Sequence, residues 1–303
     1  MTGLDDLGWA IHYAPLLLRM VLVAVFVVTV AMIAERLGPF LGAMVASLPL
    51  YTGPVYLLLA LEHEPAYLAA AAVASLAICG ANPVFVVIYA MLSRTQGALV
   101  SVAGGLAAWA ACAAIVQHRD WTVIEGLLFV APVFAVSIAL ARNFTRGVAL
   151  KRAERRWTDL LQRALFVALL TGVVIVASQH VTAQVTGILS VMPILTTSLI
   201  LVMHPRVGGP ATAALLAHTL GGLVGMVMAF ALVCLTIEDW GTWPALATGL
   251  GITVGWNVML IAARHLAQRQ RPRPQSNTRP PAAMLAPRPL PRPVSPPRRQ
   301  PPR

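Results

Sequence analysis

Charge is what this sequence has least of. Only 11% of its 303 residues are charged and 58% are hydrophobic, at a mean hydropathy of +0.76, whereas a soluble domain carries about 25% charged and about 45–50% apolar residues. A soluble globular domain is therefore excluded, and a multi-pass membrane protein is expected. Acids are scarcer still, eleven in all, and most lie at the ends of apolar runs. No carboxylate pair, no His/Cys/Asp cluster at metal-ligand spacing and no serine with a partner histidine stands out. Enzyme chemistry, a bound metal and a cofactor are accordingly not expected. Cysteine is limited to Cys79, Cys112 and Cys234, each inside an apolar run, an odd number without redox or metal spacing that fits small packing residues. A basic leader is also missing. Residues 1–15 carry Asp5 and Asp6, and the apolar run that follows has no small-residue cleavage site, so the first helix is expected to be retained.

Positive charge is plentiful but confined. The formal net charge is +11, yet the last 36 residues, from Gln268, hold nine Arg, twelve Pro and no acid, which leaves about +2 for the rest. A basic surface for nucleic acid is thereby excluded. So apolar-poor a segment, rich in proline, is expected to be a disordered tail with polyproline II character. Its partners by chemistry are anionic lipid headgroups or a protein that reads the proline motifs at residues 289–293 and Pro296-Pro297.

Long apolar runs are abundant. With about 20 residues needed to cross the hydrocarbon core, spans are expected at residues 16–34, 38–60, 66–92, 97–117, 122–141, 159–178, 184–203, 210–236 and 243–264. Lys and Arg gather between the fifth and sixth spans, at Arg142, Arg146, Lys151, Arg152, Arg155 and Arg156, which marks that loop as cytoplasmic. Alternation then places Arg94, Arg206 and the tail on the same side, and Glu62, Glu64, Glu238, Asp239 and the N-terminus outside. Sparse residues also recur. Arg19 faces Arg163, Pro49 faces Pro193 and Thr52 faces Thr196 at an offset of 144, Pro65 faces Pro210 at 145, and Trp109 faces Trp256 at 147. An odd helix between the copies inverts the second. The expected fold is an all-α membrane protein of about nine transmembrane helices in a 4+1+4 inverted repeat. Its parts are an outer segment at 1–15, a first repeat at 16–117, a linking helix and basic loop at 118–158, a second repeat at 159–264, and the tail at 265–303.

Polar residues inside the spans define the candidate site. Pro49 sits beside Ser47 and Thr52 in the second span, and Pro193 sits beside Ser190, Thr196 and Thr197 in the seventh. A mid-helix proline frees backbone carbonyls, which lipid cannot satisfy and which must face protein or a water-filled cavity. Asn82, His218 and Asn257 add polar groups in the third, eighth and ninth spans. These ten residues, Ser47, Pro49, Thr52, Asn82, Ser190, Pro193, Thr196, Thr197, His218 and Asn257, are the expected substrate-binding set. His218 adds a group able to relay a proton near neutral pH.

Gly42-Ala43-Met44 and Thr186-Gly187-Ile188 each lead to a mid-helix proline, and Trp109 and Trp256 mark the fourth helix of each half. In these features each half resembles the small four-helix inner-membrane proteins of the GlpM type. The inverted pairing is similar to that of drug/metabolite transporters, which typically have five helices per half. The resemblance implies a bacterial inner-membrane protein of transporter type, and the partial positive charge of half-helix N-termini at the two prolines favours a small neutral or anionic solute, carried by alternating access around the second and seventh spans. The alternative is a non-transporting scaffold that recruits a partner through its basic loop or tail.

Overall fold

The computed structural model describes residues 52–146, 148 and 157–269, together with Leu18, Met20, Val21, Leu22, Val25 and Thr29 of a preceding helix. Every regular element among the described residues is helical, as apolar runs in lipid require, because a helix satisfies its backbone polar groups within its own segment. In order these are α1 (Thr52–Glu62), α2 (Pro65–Ile78), α3 (Ala81–Leu92), α4 (Ala98–Val116), α5 (Val123–Thr145), α6 (Trp157–Ser178), α7 (Ala183–Ser190), α8 (Ile194–Val207), α9 (Gly209–Trp240) and α10 (Thr242–Arg269). Residues 265–303 form a second unit, and the expected Pro/Arg tail lies, from residue 270 on, outside the described residues.

Six stretches among the described residues are long and apolar enough to cross a membrane: Pro65–Leu92, Ala98–Val116, Val123–Thr145, Ala183–Val207, Gly209–Trp240 and Thr242–Ala263. Each falls on an expected span. The span expected at 159–178 falls within α6. The span at 38–60 is described only from Thr52, and that at 16–34 only at its six named residues.

Helices run further than the apolar runs do. His204, Pro205 and Arg206, which fall between the spans expected at 184–203 and 210–236, belong to the last turn of α8, and Glu238, Asp239 and Trp240 complete α9. The chain reverses instead at Gly208 (φ 87°) and Gly241 (φ 83°), a left-handed geometry that residues with a Cβ adopt only at a cost. Conversely, the third span is jointed. α2 closes at Cys79, and α3 restarts after Gly80 with Pro83 in its first turn, where a proline's missing N–H is tolerated but the carbonyl of Cys79, four residues back, loses its helical partner.

The α2–α3 stretch is the centre of the bundle. Of its apolar window 78% is buried, against 28% for α4 and 22% for α5 and α10, so those three form the outer layer. Leu99, Ile115, Ile124, Leu128, Val136, Leu250 and Val258 stand exposed there, which suits a lipid-facing surface. α2 packs against α7, α9 and α5; α3 packs against α4, α5 and α9; α8 packs against α6, α9 and α4. Lipid tails are as apolar as leucine, so hydrophobic burial does not drive such contacts; close van der Waals packing over small residues does. Ala71, Ala72, Ala74 and Ala77 of α2 are buried. Gly187 meets the carbonyl of Ala71, Gly209 that of Ser93, Gly105 the ring of Phe85, and Gly225 the indole of Trp256, all too tightly for a β-carbon.

Candidate functional site

The second interrupted span is resolved in full. α7 ends at Ser190, Val191 and Met192 turn back onto Ile188 and Leu189, and Pro193 caps α8 with its backbone out of the helical region (φ −78°, ψ 52°). The ring of Pro193 opposes the carbonyl of Leu189, four residues earlier, which is why the helix parts there. Two half-helix ends therefore meet at membrane depth, the carbonyl end of α7 carrying partial negative charge and the amide end of α8 partial positive. Into this break comes α1. The Thr52 hydroxyl donates to the Ser190 carbonyl at 2.9 Å, supplying a bond to a carbonyl that the break releases.

A seam of hydroxyls continues from there between α2 and α7. Ser75 donates to the Gly187 carbonyl at 2.7 Å and thereby accepts from the Tyr56 hydroxyl, also at 2.7 Å. Higher up, the Tyr67 hydroxyl lies 2.7 Å from Thr186 Oγ1 and 3.1 Å from the Ser178 carbonyl. Ser178 donates to the Ile175 carbonyl, so His63 Nε2 donates to Ser178 at 2.9 Å while its ring stacks on Tyr67. Partial burial holds the His63 imidazolium below its ordinary pKa, which favours the neutral ring in this stack. Gln179 reaches Glu62 at the same end.

The other end has a matching clasp. Tyr89, buried near the end of α3, is hydrogen-bonded to His204 Nδ1 at 2.8 Å. Tyr67 and Tyr89 are 22 positions apart (89 − 67), about 33 Å along helix at 1.5 Å per residue, close to the roughly 30 Å of a hydrocarbon core. The two tyrosines thus tie the same helical stretches together at opposite faces of the bundle. Arginines collect at the Tyr89 face, where Arg94 stacks on Phe144 at the close of α5 and Arg206 ends α8. Glu62 and Glu64 lie at the Tyr67 face.

The expected site residues divide accordingly. Thr52 and Ser190 are joined directly, and Pro193, Thr196 and Thr197 follow in the cap and first turn of α8. Ser47 and Pro49 lie outside the described residues. Asn82 stands at the joint between α2 and α3, with its Oδ1 buried and without a partner among the described residues. His218 is half-buried in α9. Asn257 sits in the seam between α9 and α10, where its amide donates to Thr253 O, Thr253 approaches Gly225 O, and Trp256 donates to Gly221 O at 2.8 Å. Glu125 forms a capping box with Thr122 and pairs with Arg119. Among the described residues no three His, Cys, Asp or Glu stand close enough to hold a metal ion.

Sequence reasoning passed over Tyr56, His63, Tyr67, Ser75, Ser178, Tyr89 and His204. The one signal available was that the third span carries a tyrosine near each end and a serine among alanines at its centre. No family model, no curated protein and no solved structure matches this chain.

Proposed function

We propose that this protein is a non-enzymatic secondary carrier of a small neutral or anionic solute in a bacterial inner membrane, working by alternating access about the crossing of its second and seventh spans. The observation that carries the reading is the Thr52–Ser190 bond. It joins two segments that the sequence marks as proline-interrupted and as counterparts in an inverted 4+1+4 arrangement of nine spans, itself a part of this proposal together with the duplicated GlpM-like unit. Interrupted helices whose ends meet at mid-depth are the means by which many carriers present backbone dipoles to a solute. Clasps at both faces suit a carrier, which has to close one side before opening the other. An uncharacterised solute is found by comparing the metabolites of deletion and overexpression cells. Proteoliposome uptake of that solute should then fall roughly 3- to 10-fold in Thr52→Val and Thr196→Val, since a hydrogen bond contributes about 0.5–1.5 kcal/mol. Unchanged metabolite profiles in both strains would overturn the reading.

The orientation, N-terminus outside and C-terminus cytoplasmic, is proposed from the distribution of Lys and Arg. A Gly147→Cys variant should be labelled by an impermeant maleimide only after the membrane is opened. Labelling in intact cells would sink both the topology and the inversion of the second repeat.

A further inference from the structure

α8 is bounded by a joint at each end. It starts at Pro193, whose backbone leaves the helical region, and stops at Gly208 with φ 87°, a conformation that glycine enters and leaves without steric cost. α3 is placed alike, since it begins beyond the Cys79–Gly80 joint and ends at Ser93, and α4 follows after Gly97. Two helical hairpins result, α3–α4 and α8–α9, and both turn at the face where Tyr89 meets His204.

The hairpins form a ring. α3 packs on α4, α4 on α8, α8 on α9 and α9 on α3, whereas among the described residues neither diagonal pair, α3 with α8 or α4 with α9, packs helix against helix. At the turns Gly209 lies against the Ser93 carbonyl with no room for a β-carbon, which pins α9 to α3. Across the α3–α8 diagonal runs the hydrogen bond between Tyr89 and His204 Nδ1, at 2.8 Å.

Position gives that bond its consequence. Tyr89 is eight residues past the start of α3 (89 − 81) and His204 ten past the start of α8 (204 − 194), about 12 and 15 Å of helix. The ring therefore lies between the two joints and one membrane face, with the Thr52–Ser190 crossing at its deep end and the Tyr89–His204 bond at its mouth. Tyr89 is fully buried and His204 half-buried, so the imidazole is the water-facing half of the pair. Parting a packed helix pair forfeits van der Waals contact along its length, whereas parting this diagonal forfeits a hydrogen bond. The opposite face offers no such line. There Tyr67 and His63 join α2 to α6 and α7, and α2 also packs on α7 with Gly187 against the Ala71 carbonyl.

We propose, resting on the carrier reading above, that α8 is the gate on the cytoplasmic face and that the Tyr89–His204 bond is its latch. The helix turns on its joints at Pro193 and Gly208, as hinge residues at element ends absorb a closure, and its end swings from α3 while the packed pairs hold. The solute leaves the Thr52–Ser190 crossing along the axis of the ring.

The test uses the full chain in right-side-out and inside-out membrane vesicles, with a cysteine behind the latch. Cys79, Cys112 and Cys234 are replaced by alanine, and Ile200→Cys, at a fully buried position one turn before His204, supplies the reporter. Val86→Cys, buried one turn before Tyr89, reports from the other wall should the first variant fail to accumulate. Reaction with a charged, membrane-impermeant methanethiosulfonate should be slow in this background. Adding Tyr89→Phe, which keeps the ring and leaves His204 to water, should speed it roughly 3- to 10-fold from the cytoplasmic side, as the loss of one hydrogen bond shifts an open–closed equilibrium. Adding Tyr67→Phe should leave the rate as it was. A chain that keeps Cys79 alone should stay unreactive with Tyr89→Phe, and its melting temperature should stay near that of its parent, because the gate is local. A rate unchanged by Tyr89→Phe, a rise from the opposite side only, an equal rise with Tyr67→Phe, or labelling of Cys79 as well overturns the gate while leaving the carrier in place. Unchanged metabolite profiles in deletion and overexpression cells, by contrast, remove the carrier reading and this proposal with it, whatever the labelling shows.

Discussion

Gly187→Ala should melt roughly 5–10 °C or more below the wild type, or fail to accumulate in the membrane. A β-carbon at this position would stand 2.1 Å from the carbonyl oxygen of Ala71 and 2.8 Å from its carbon. Both are backbone atoms of α2, so no side chain can rotate out of the way. Relief requires α2 and α7 to part, and the seam between them goes with the contact: Ser75 to Gly187, Tyr67 to Thr186, and the approach of α1 to Ser190. Overpacking of a tight core costs about 1–3 kcal/mol and occasionally more, and each kcal/mol is worth about 2–4 °C in a protein of about 150–250 residues. Gly255→Ala is the control. Nothing lies within 4 Å of its would-be β-carbon, and alanine is the better helix former by about 1 kcal/mol, so this variant should hold or gain stability. Equal melting of Gly187→Ala and wild type would show that the helices do not approach as described.

Ser75→Ala should be the most costly loss of a single oxygen in the seam, well beyond Tyr56→Phe. Hydrogen bonds between membrane helices average only about 0.6 kcal/mol, but a buried group left unpaired costs about 1–3 kcal/mol. Ser75 serves two groups at once. Its removal strands both the Gly187 carbonyl and the Tyr56 hydroxyl, whereas Tyr56→Phe takes away its own hydroxyl and leaves Ser75 bonded to Gly187. The loss expected for Ser75→Ala is therefore about 2–4 kcal/mol, read as a lower melting temperature, against less than about 1 kcal/mol for Tyr56→Phe. Adding Tyr56→Phe to Ser75→Ala should recover part of the loss, because only one group is then unpaired. Additive losses in the double variant would contradict the shared serine.

What the sequence made legible follows from these contacts. α4 was expected at 97–117 and runs Ala98–Val116, because Gly97 and the polar Gln117 bound an uninterrupted apolar run. The break before α8 was legible at Pro193, since a proline acts on the carbonyl four residues back wherever it falls inside a helix. The joint at Cys79–Gly80 was not, because Asn82-Pro83 read as polar residues within one continuous span. Pairings were hidden for a different reason. Thr52 meets a residue 138 positions away, and Tyr67 and Tyr89 meet residues 119 and 115 away. Hydropathy treats a tyrosine, a serine or a glycine as nearly neutral, although here a tyrosine ties each face and a glycine sets the spacing of two helices.

The unbroken length of α9 gives the molecule a relation to its membrane that its jointed neighbours lack. At 32 residues it is about 48 Å long, more than the roughly 40–45 Å of a bilayer with its headgroups. A helix of that length meets a thinner bilayer by tilting, by kinking or by thickening the lipid around it. The stretches α2–α3 and α7–α8 each have a joint within the span, whereas α9 runs as one helix.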